Sequence, residues 1–183
     1  MSENTQLVTA EELARLPDDG YRYELVEGRL VRMSPVNFDH GRIVLRIGFL
    51  LSRHLEQHPV GVVGAEIGFK LAANPDTVRG PDIAFVRNER VPSSSGRRGF
   101  VKGPPDVAIE VWSPDDRTSE VRAKTEEYLA KGVLLVVVVD PDDQSATIFR
   151  PGAVEVTLEA ETDVLDLSDV IPGFRCQLRE IFQ

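Results

Sequence analysis

Two acidic residues and one lysine stand where their chemistry would matter. Glu110 lies inside the apolar run "DVAIEVW", and Asp82 follows Pro81 at the head of "DIAFV". A carboxylate within an apolar strand is costly unless a cation, a metal or a proton offsets its charge. Strand side chains alternate between faces, so Glu110 shares a face with Ala108 and Trp112, while Val107, Ile109 and Val111 take the other. Two carboxylates on neighbouring strands, with a backbone carbonyl and water, make a hard oxygen donor set for a divalent cation such as Mg2+. Lys124 lies one helical turn from Val121 and Tyr128, beside the apolar stripe Val121, Thr125, Tyr128 and Leu129. From there its ammonium can turn toward a carboxylate pocket.

Each of these residues also has a plainer use. Asp82 could cap a turn after Pro81, Glu110 could pair with an arginine, and the Lys124 stem could cover apolar surface with its head in water. Trp112 is most simply a packing residue.

The elements that must position these groups follow from periodicity. "TAEEL" carries a capping-box pattern, Thr9 followed by Glu12, and opens a short helix. "YRYELVEGRLVRMSP" reads as a β-hairpin turning at Glu27-Gly28. "HGRIVLRIGFLLSRHLEQHP" repeats apolar residues at Ile43, Ile47, Leu50, Leu51 and Leu55, helical spacing that Pro59 closes. "GVVGAEIGFKLA" and "PDIAFV" read as strands separated by the turn-rich "ANPDTVRG". A Ser-, Gly-, Arg- and Pro-rich loop, "RNERVPSSSGRRGFVKGPP", precedes the Glu110 strand. The Lys124 helix spans "TSEVRAKTEEYLAKG" and stops at Gly132. "LLVVVVD" suits a strand buried on both faces, "SATIFR" and "AVEVTLE" add strands toward an edge, and "DVIPGFRCQLREIF" ends in a short packed helix. A mixed sheet flanked by helices, of α/β or α+β class, is the expected architecture, in a single domain over residues 1–183.

Composition bounds the function. The chain has 183 residues, 42% of them hydrophobic and 28% charged, as in ordinary globular proteins. No apolar run approaches the ~18–20 residues of a membrane span, and the start lacks the layout of a signal peptide. The expectation is a cytoplasmic protein with no membrane partner. The single cysteine, Cys176, excludes an intramolecular disulfide and a cysteine-cluster metal site. A net charge of −9 argues against coating nucleic acid through the overall field. It leaves room for a nuclease, whose bound cations and local basic rim offset the acid.

"PD" followed after a loop by "ExW" resembles the pattern of the PD-(D/E)xK nuclease superfamily, with Trp112 where a lysine is expected. Over nearly the whole chain, "YRYELVEGRLVRMSP", "DHGRIVLRIGFLL", "RGPDIAFV", "PDVAIEVWSPDDRTSEVRAKTEEYLAKGV" and "VVDP" resemble, in that order, the Uma-two family of restriction-endonuclease-like proteins. The resemblance implies a restriction-endonuclease-like core with a central mixed sheet, and Mg2+-dependent cleavage of DNA, with RNA as the alternative substrate. It places Asp82 and Glu110 at the metal with the Val111 carbonyl. Lys124 becomes the catalytic lysine, migrated from strand to helix. Glu24 and His40 join the site in supporting roles. A homodimer would let two sites address two strands. Glu120, where the family more often has aspartate, and a last strand without its aromatic residue depart from the pattern.

Alternatives stand beside these implications. Glu24 could be a cross-strand ion-pair member and His40 plain surface, as His54 and His58 are expected to be. Arg90, Arg97, Arg98 and Lys102 could meet phosphates or simply solvate a loop. A non-catalytic binding or regulatory module on the same fold, or hydrolysis of some other phosphoester, would use the same elements.

Overall fold

The computed structural model describes residues 7–93, 99–113 and 117–183. In chain order these form the short helix α1 (Ala10–Leu13), strands β1 (Arg22–Val26) and β2 (Arg29–Met33), and the long helix α2 (Phe38–Gln57). Strands β3 (Gly61–Ala65), β4 (Phe69–Ala72), β5 (Thr77–Arg79) and β6 (Ile83–Arg87) follow, then β7 (Val101–Lys102) and β8 (Val107–Val111). Helix α3 (Thr118–Ala130) precedes β9 (Leu135–Asp140), β10 (Ser145–Phe149) and β11 (Val156–Glu159). Last come β12 (Val164–Asp166), β13 (Arg175–Gln177) and α4 (Arg179–Phe182). The fold is mixed α+β, with mixed sheets flanked by a few helices.

Two compact units emerge. One lies within Met1–Pro35, Gly68–Gly80 and Pro92–Pro104 and carries a five-stranded sheet in the order β2-β1-β5-β4-β7. Its hairpin turns at Glu27 and Gly28, both at positive φ (48° and 77°), the geometry a two-residue turn needs to follow strand twist. Helix α1 is closed by the expected capping box: the Thr9 hydroxyl accepts the Glu12 amide at 3.2 Å, and the Glu12 carboxylate accepts the Thr9 amide at 2.8 Å. Ala10 and Leu13 pack with Leu25 and Val78 into a small core. Asp76 secures that helix from β5's side, accepting the Ala10 amide at 2.8 Å and the Lys70 ammonium at 2.7 Å.

The other unit lies within Val36–Ile67, Pro81–Val91 and Pro105–Gln183. Its six-stranded sheet runs β11-β10-β9-β8-β6-β3, with β8 and β9 parallel and the other pairs antiparallel. Parallel neighbours need a crossover, and α3 lies in the β8–β9 connection. On one face, Ile43, Ile47, Leu50, Leu51 and Leu55 of α2 pack with Ile83, Phe85, Ile109, Val111, Val137 and Val139. Five of the six β9 residues are buried, as expected of a strand covered on both faces. No described helix is long and apolar enough to cross a membrane.

Several local expectations are corrected. "GVVGAEIGFKLA" is not one strand: Glu66 takes a φ of 56°, and the two halves join different sheets as β3 and β4. "ANPDTVRG" is not only a turn, because Thr77–Arg79 pairs between β1 and β4. The Ser- and Arg-rich loop contains β7, which lies parallel to β4. The tail ends in helix α4 as expected, yet an unforeseen β12–β13 pair precedes it.

Asp166 ties that pair together. It accepts the Ser168 hydroxyl and amide and the Arg175 guanidinium, which hold its carboxyl down at about 2. A carboxylate depressed in the folded state contributes stability that is complete above its ordinary value of 3.8 and is lost as pH falls toward 2. Asp166→Asn is expected to flatten the acid limb of a thermal-stability profile between about pH 4 and 2. An unchanged slope there would refute the assignment.

Candidate functional site

Glu110 is the penultimate residue of β8, paired with Val138 of β9, and opposite in parity to the β8 residues packed by α2. Helix α3 covers it. Lys124 and Tyr128, four residues apart, project from one side of that helix. The Tyr128 hydroxyl donates to Glu110 Oε1 at 2.8 Å, and Lys124 Nζ reaches the same oxygen at 2.8 Å. Both charged side chains are largely shielded, with 17% of Lys124 and 15% of Glu110 exposed. Shielding strengthens their attraction, and the pair offsets the charge that burial of either alone would leave unpaired. The Glu110 puzzle is thus answered locally by an ammonium and a hydroxyl.

Asp82 sits one step beyond the end of β6. The register Ile83↔Ile109, extended by one residue, sets it opposite Glu110. Its Oδ2 accepts the Val111 amide at 2.8 Å, so a side chain supplies an acceptor where the β6 backbone ladder stops. The Val111 carbonyl leaves the strand on the same side as that amide. The other oxygen, Oδ1, lies 3.1 Å from His40 Nε2.

His40 belongs to the first turn of α2, where the Asn37 side chain caps its amide at 2.8 Å. The plain-surface reading of His40 does not hold: it is 5% exposed and shares the buried stripe of Ile43 and Ile47. Its Nδ1 is buried without a hydrogen-bond partner among the described residues.

The structure thus forms two polar groupings within one unit: His40, Asp82 and the Val111 amide, and Glu110, Lys124 and Tyr128. Glu24 lies in the other unit. It is 4% exposed, receives Arg79 at 2.7 Å on Oε2, and accepts the Gly80 amide at 2.9 Å on Oε1. That ion-pair partner is on β5, the strand that pairs with β1, so Glu24 is a cross-strand ion-pair member.

Asp82, Glu110 and the Val111 carbonyl are hard oxygen donors of the kind that hold Mg2+. Among the described residues no three His, Cys, Asp or Glu side chains gather in a metal-binding arrangement. A cation held here would rely on two carboxylates, one carbonyl and water, a shell Mg2+ tolerates because it gives up its waters reluctantly.

Of the basic residues, Arg90 pairs with the buried Asp106 at 2.8 Å, and Lys102 is exposed on β7. Arg97, Arg98 and Pro114 lie outside the described residues. His54 is not plain surface either: its ring reaches the Pro172 carbonyl at 3.0 Å and stacks on His58. Cys176 is a core thiol, pushed up to about 12 by burial, which keeps it protonated and unreactive.

Sequence reasoning missed two participants. Tyr128 was legible as a core-facing ring, but nothing at helical spacing reveals where a phenol hydroxyl goes. Arg79 stands 55 residues from Glu24, and only the β1–β5 pairing joins them.

Comparison with known proteins follows the same outline. A crystal structure of a putative nuclease belonging to DUF820 from Anabaena variabilis ATCC 29413 matches with a TM-score of 0.83 and 19% identity, covering 96% of this chain and 97% of that one. At that identity the likeness carries the fold. No curated protein matches the chain. The family model described as "Uma2: Putative restriction endonuclease" matches residues 10–179, which include every residue of both groupings. The chain belongs to the Uma2 family.

Proposed function

We propose that this protein is a metal-dependent nuclease that hydrolyses phosphodiester bonds of DNA at the site built by Asp82, Glu110 and Lys124. The observation that carries the reading is the 2.8 Å approach of Lys124, from helix α3, to the strand carboxylate Glu110. Asp82 and Glu110, with the Val111 carbonyl, hold the cation, Mg2+ or Mn2+. When bound, it supplies positive charge against the scissile phosphate. Lys124 orients the attacking water and opposes the negative charge that grows on the phosphate. His40 holds Asp82 in place through Nε2. Glu24, paired with Arg79, fixes the backbone at Gly80, two residues before Asp82 in the chain.

Incubating purified protein with plasmid DNA and Mn2+ or Mg2+ tests this directly. The wild type is expected to cut, and Glu110→Gln, which keeps the shape and removes the charge, to cut at least about 10²-fold more slowly. Equal cleavage by the two proteins would sink the assignment of Glu110.

A second reading is a nucleic-acid-binding or regulatory module that keeps the fold without catalysis. One observation favours it: protein donors engage both carboxylates, and among the described residues no three His, Cys, Asp or Glu side chains gather in a metal-binding arrangement. Thermal shift separates the two readings. Stabilisation by Mn2+ that disappears in Asp82→Ala supports the nuclease, and no stabilisation supports the module.

A further inference from the structure

We propose that the exposed face of helix α2 is a self-association surface, on which a second copy of this chain docks with its own α2 antiparallel. At about 100° per residue, Phe38, Gly41, Leu45 and Phe49 fall within roughly 80° of one another around the helix. Phe38 is 82%, Leu45 75% and Phe49 50% exposed, a row of large apolar groups about 16 Å long. Single exposed apolar residues are ordinary on a protein surface, and an aligned row is not. His40, Ile43 and Ile47 are buried on the opposite side of the helix, so the row is no part of the core.

Gly41 gives the row its shape. It has no positive φ, and no described atom comes within 4 Å of where a Cβ would stand. Neither the backbone nor the packing of the chain requires a glycine there, and alanine would make a better helix. The glycine instead leaves a hollow between Phe38 and Leu45. In an antiparallel pair with its two-fold axis at Leu45, residues equally far before and after Leu45 stand level. Phe49, four residues after, then meets Gly41 of the other copy, four residues before, as a knob meets a hole.

Charge selects the same arrangement. Asp39, in the first turn, and Arg53, toward the other end, are both exposed and lie on one flank of the row. Their levels in the antiparallel pair differ by about 3 Å, so the acid of each copy faces the base of the other. Arg42 and Arg46, also on that flank, donate to the main-chain carbonyls of Phe182 and Glu180 at 2.9 and 2.8 Å. A parallel pair would set Asp39 on Asp39, Arg53 on Arg53 and glycine on glycine. The exposed row supplies on the order of 400 Å² of apolar surface, about half of the ~800 Å² that one partner gives to a standard interface, which a polar rim completes.

Sedimentation equilibrium of the full chain over about 1–200 µM tests this surface, with circular dichroism to check folding. Wild type is expected to pass from monomer to dimer across that range. Leu45→Glu puts two carboxylates on the two-fold axis, and Gly41→Leu fills the hollow. Each is expected to weaken the dimer at least about tenfold in folded protein. Arg53→Glu should weaken it too, and adding Asp39→Arg should restore it, because the ion pair re-forms with its signs exchanged. A wild type that stays monomeric at the highest concentration overturns the proposal. So does a dimer that Leu45→Glu and Gly41→Leu leave intact, since the contact then lies on another face. A dimer that the sign exchange fails to restore overturns the antiparallel pairing. No metal or nucleic acid enters these measurements, so their outcome is independent of the catalytic reading.

Discussion

Replacing Lys124 with methionine is expected to lower Mn2+-dependent DNA cleavage by about 10²- to 10⁴-fold, the range for losing one charged group that acts on the transition state. Methionine keeps the length and apolar character of the stem, so the cover it gives the α3–β8 surface survives. What disappears is the ammonium, 2.8 Å from Glu110 Oε1 and largely shielded from water. The Tyr128 hydroxyl still donates to that oxygen, which limits the cost to folding. Initial rates of plasmid nicking at saturating Mn2+ give the readout, with melting temperature as the control. Cleavage within about threefold of wild type, in a folded variant, would remove Lys124 from the mechanism.

Glu24→Ala is expected to be the most destabilising change of those considered, by about 3–5 kcal/mol, the usual cost of stripping one partner from a buried ion pair. Arg79 is 13% exposed and would keep its charge with the Glu24 carboxylate gone. The Gly80 amide would lose its acceptor as well. For a chain of this length each kcal/mol is worth about 2–4 °C, so the midpoint should fall by about 6–20 °C in a thermal melt. The double variant Glu24→Leu with Arg79→Met discriminates the cause. It removes both charges, so it should recover the share owed to the stranded guanidinium while leaving the share owed to Gly80. A drop of less than 1 kcal/mol for Glu24→Ala would show that the pair contributes no more than a surface contact.

What could be read from the sequence, and what could not, divides by the range of the interaction. Helix α2 was legible because five of its apolar residues repeat at helical spacing, and the hairpin because Glu27-Gly28 tolerates positive φ between two strand-like runs. Strand β5 was not, because three residues between turn signals are too few to show a period. The same holds for β12 and β13. Within the site, the strand carboxylate and the lysine stood out because charges bordering apolar runs need an explanation. The burial of His40 was available in principle, since it continues the stripe of Ile43 and Ile47 one turn earlier. Its position at the helix start, where side chains often meet solvent, pointed the other way. The Glu24–Arg79 pair and the Tyr128 hydroxyl had no local signal, because both depend on which strands and helices become neighbours.

The bond from the Val111 amide to Asp82 has a consequence beyond the site. One carboxylate closes a β-sheet ladder and also faces the histidine at the start of α2. If Asp82 serves the proposed nuclease site, selection for a well-folded, abundant protein and selection for activity act on the same side chain. A substitution scan scored only by cellular protein level would mark Asp82 as intolerant before any chemistry was measured. On the proposed function, the usual separation of variants into those that unfold and those that merely inactivate fails at this position.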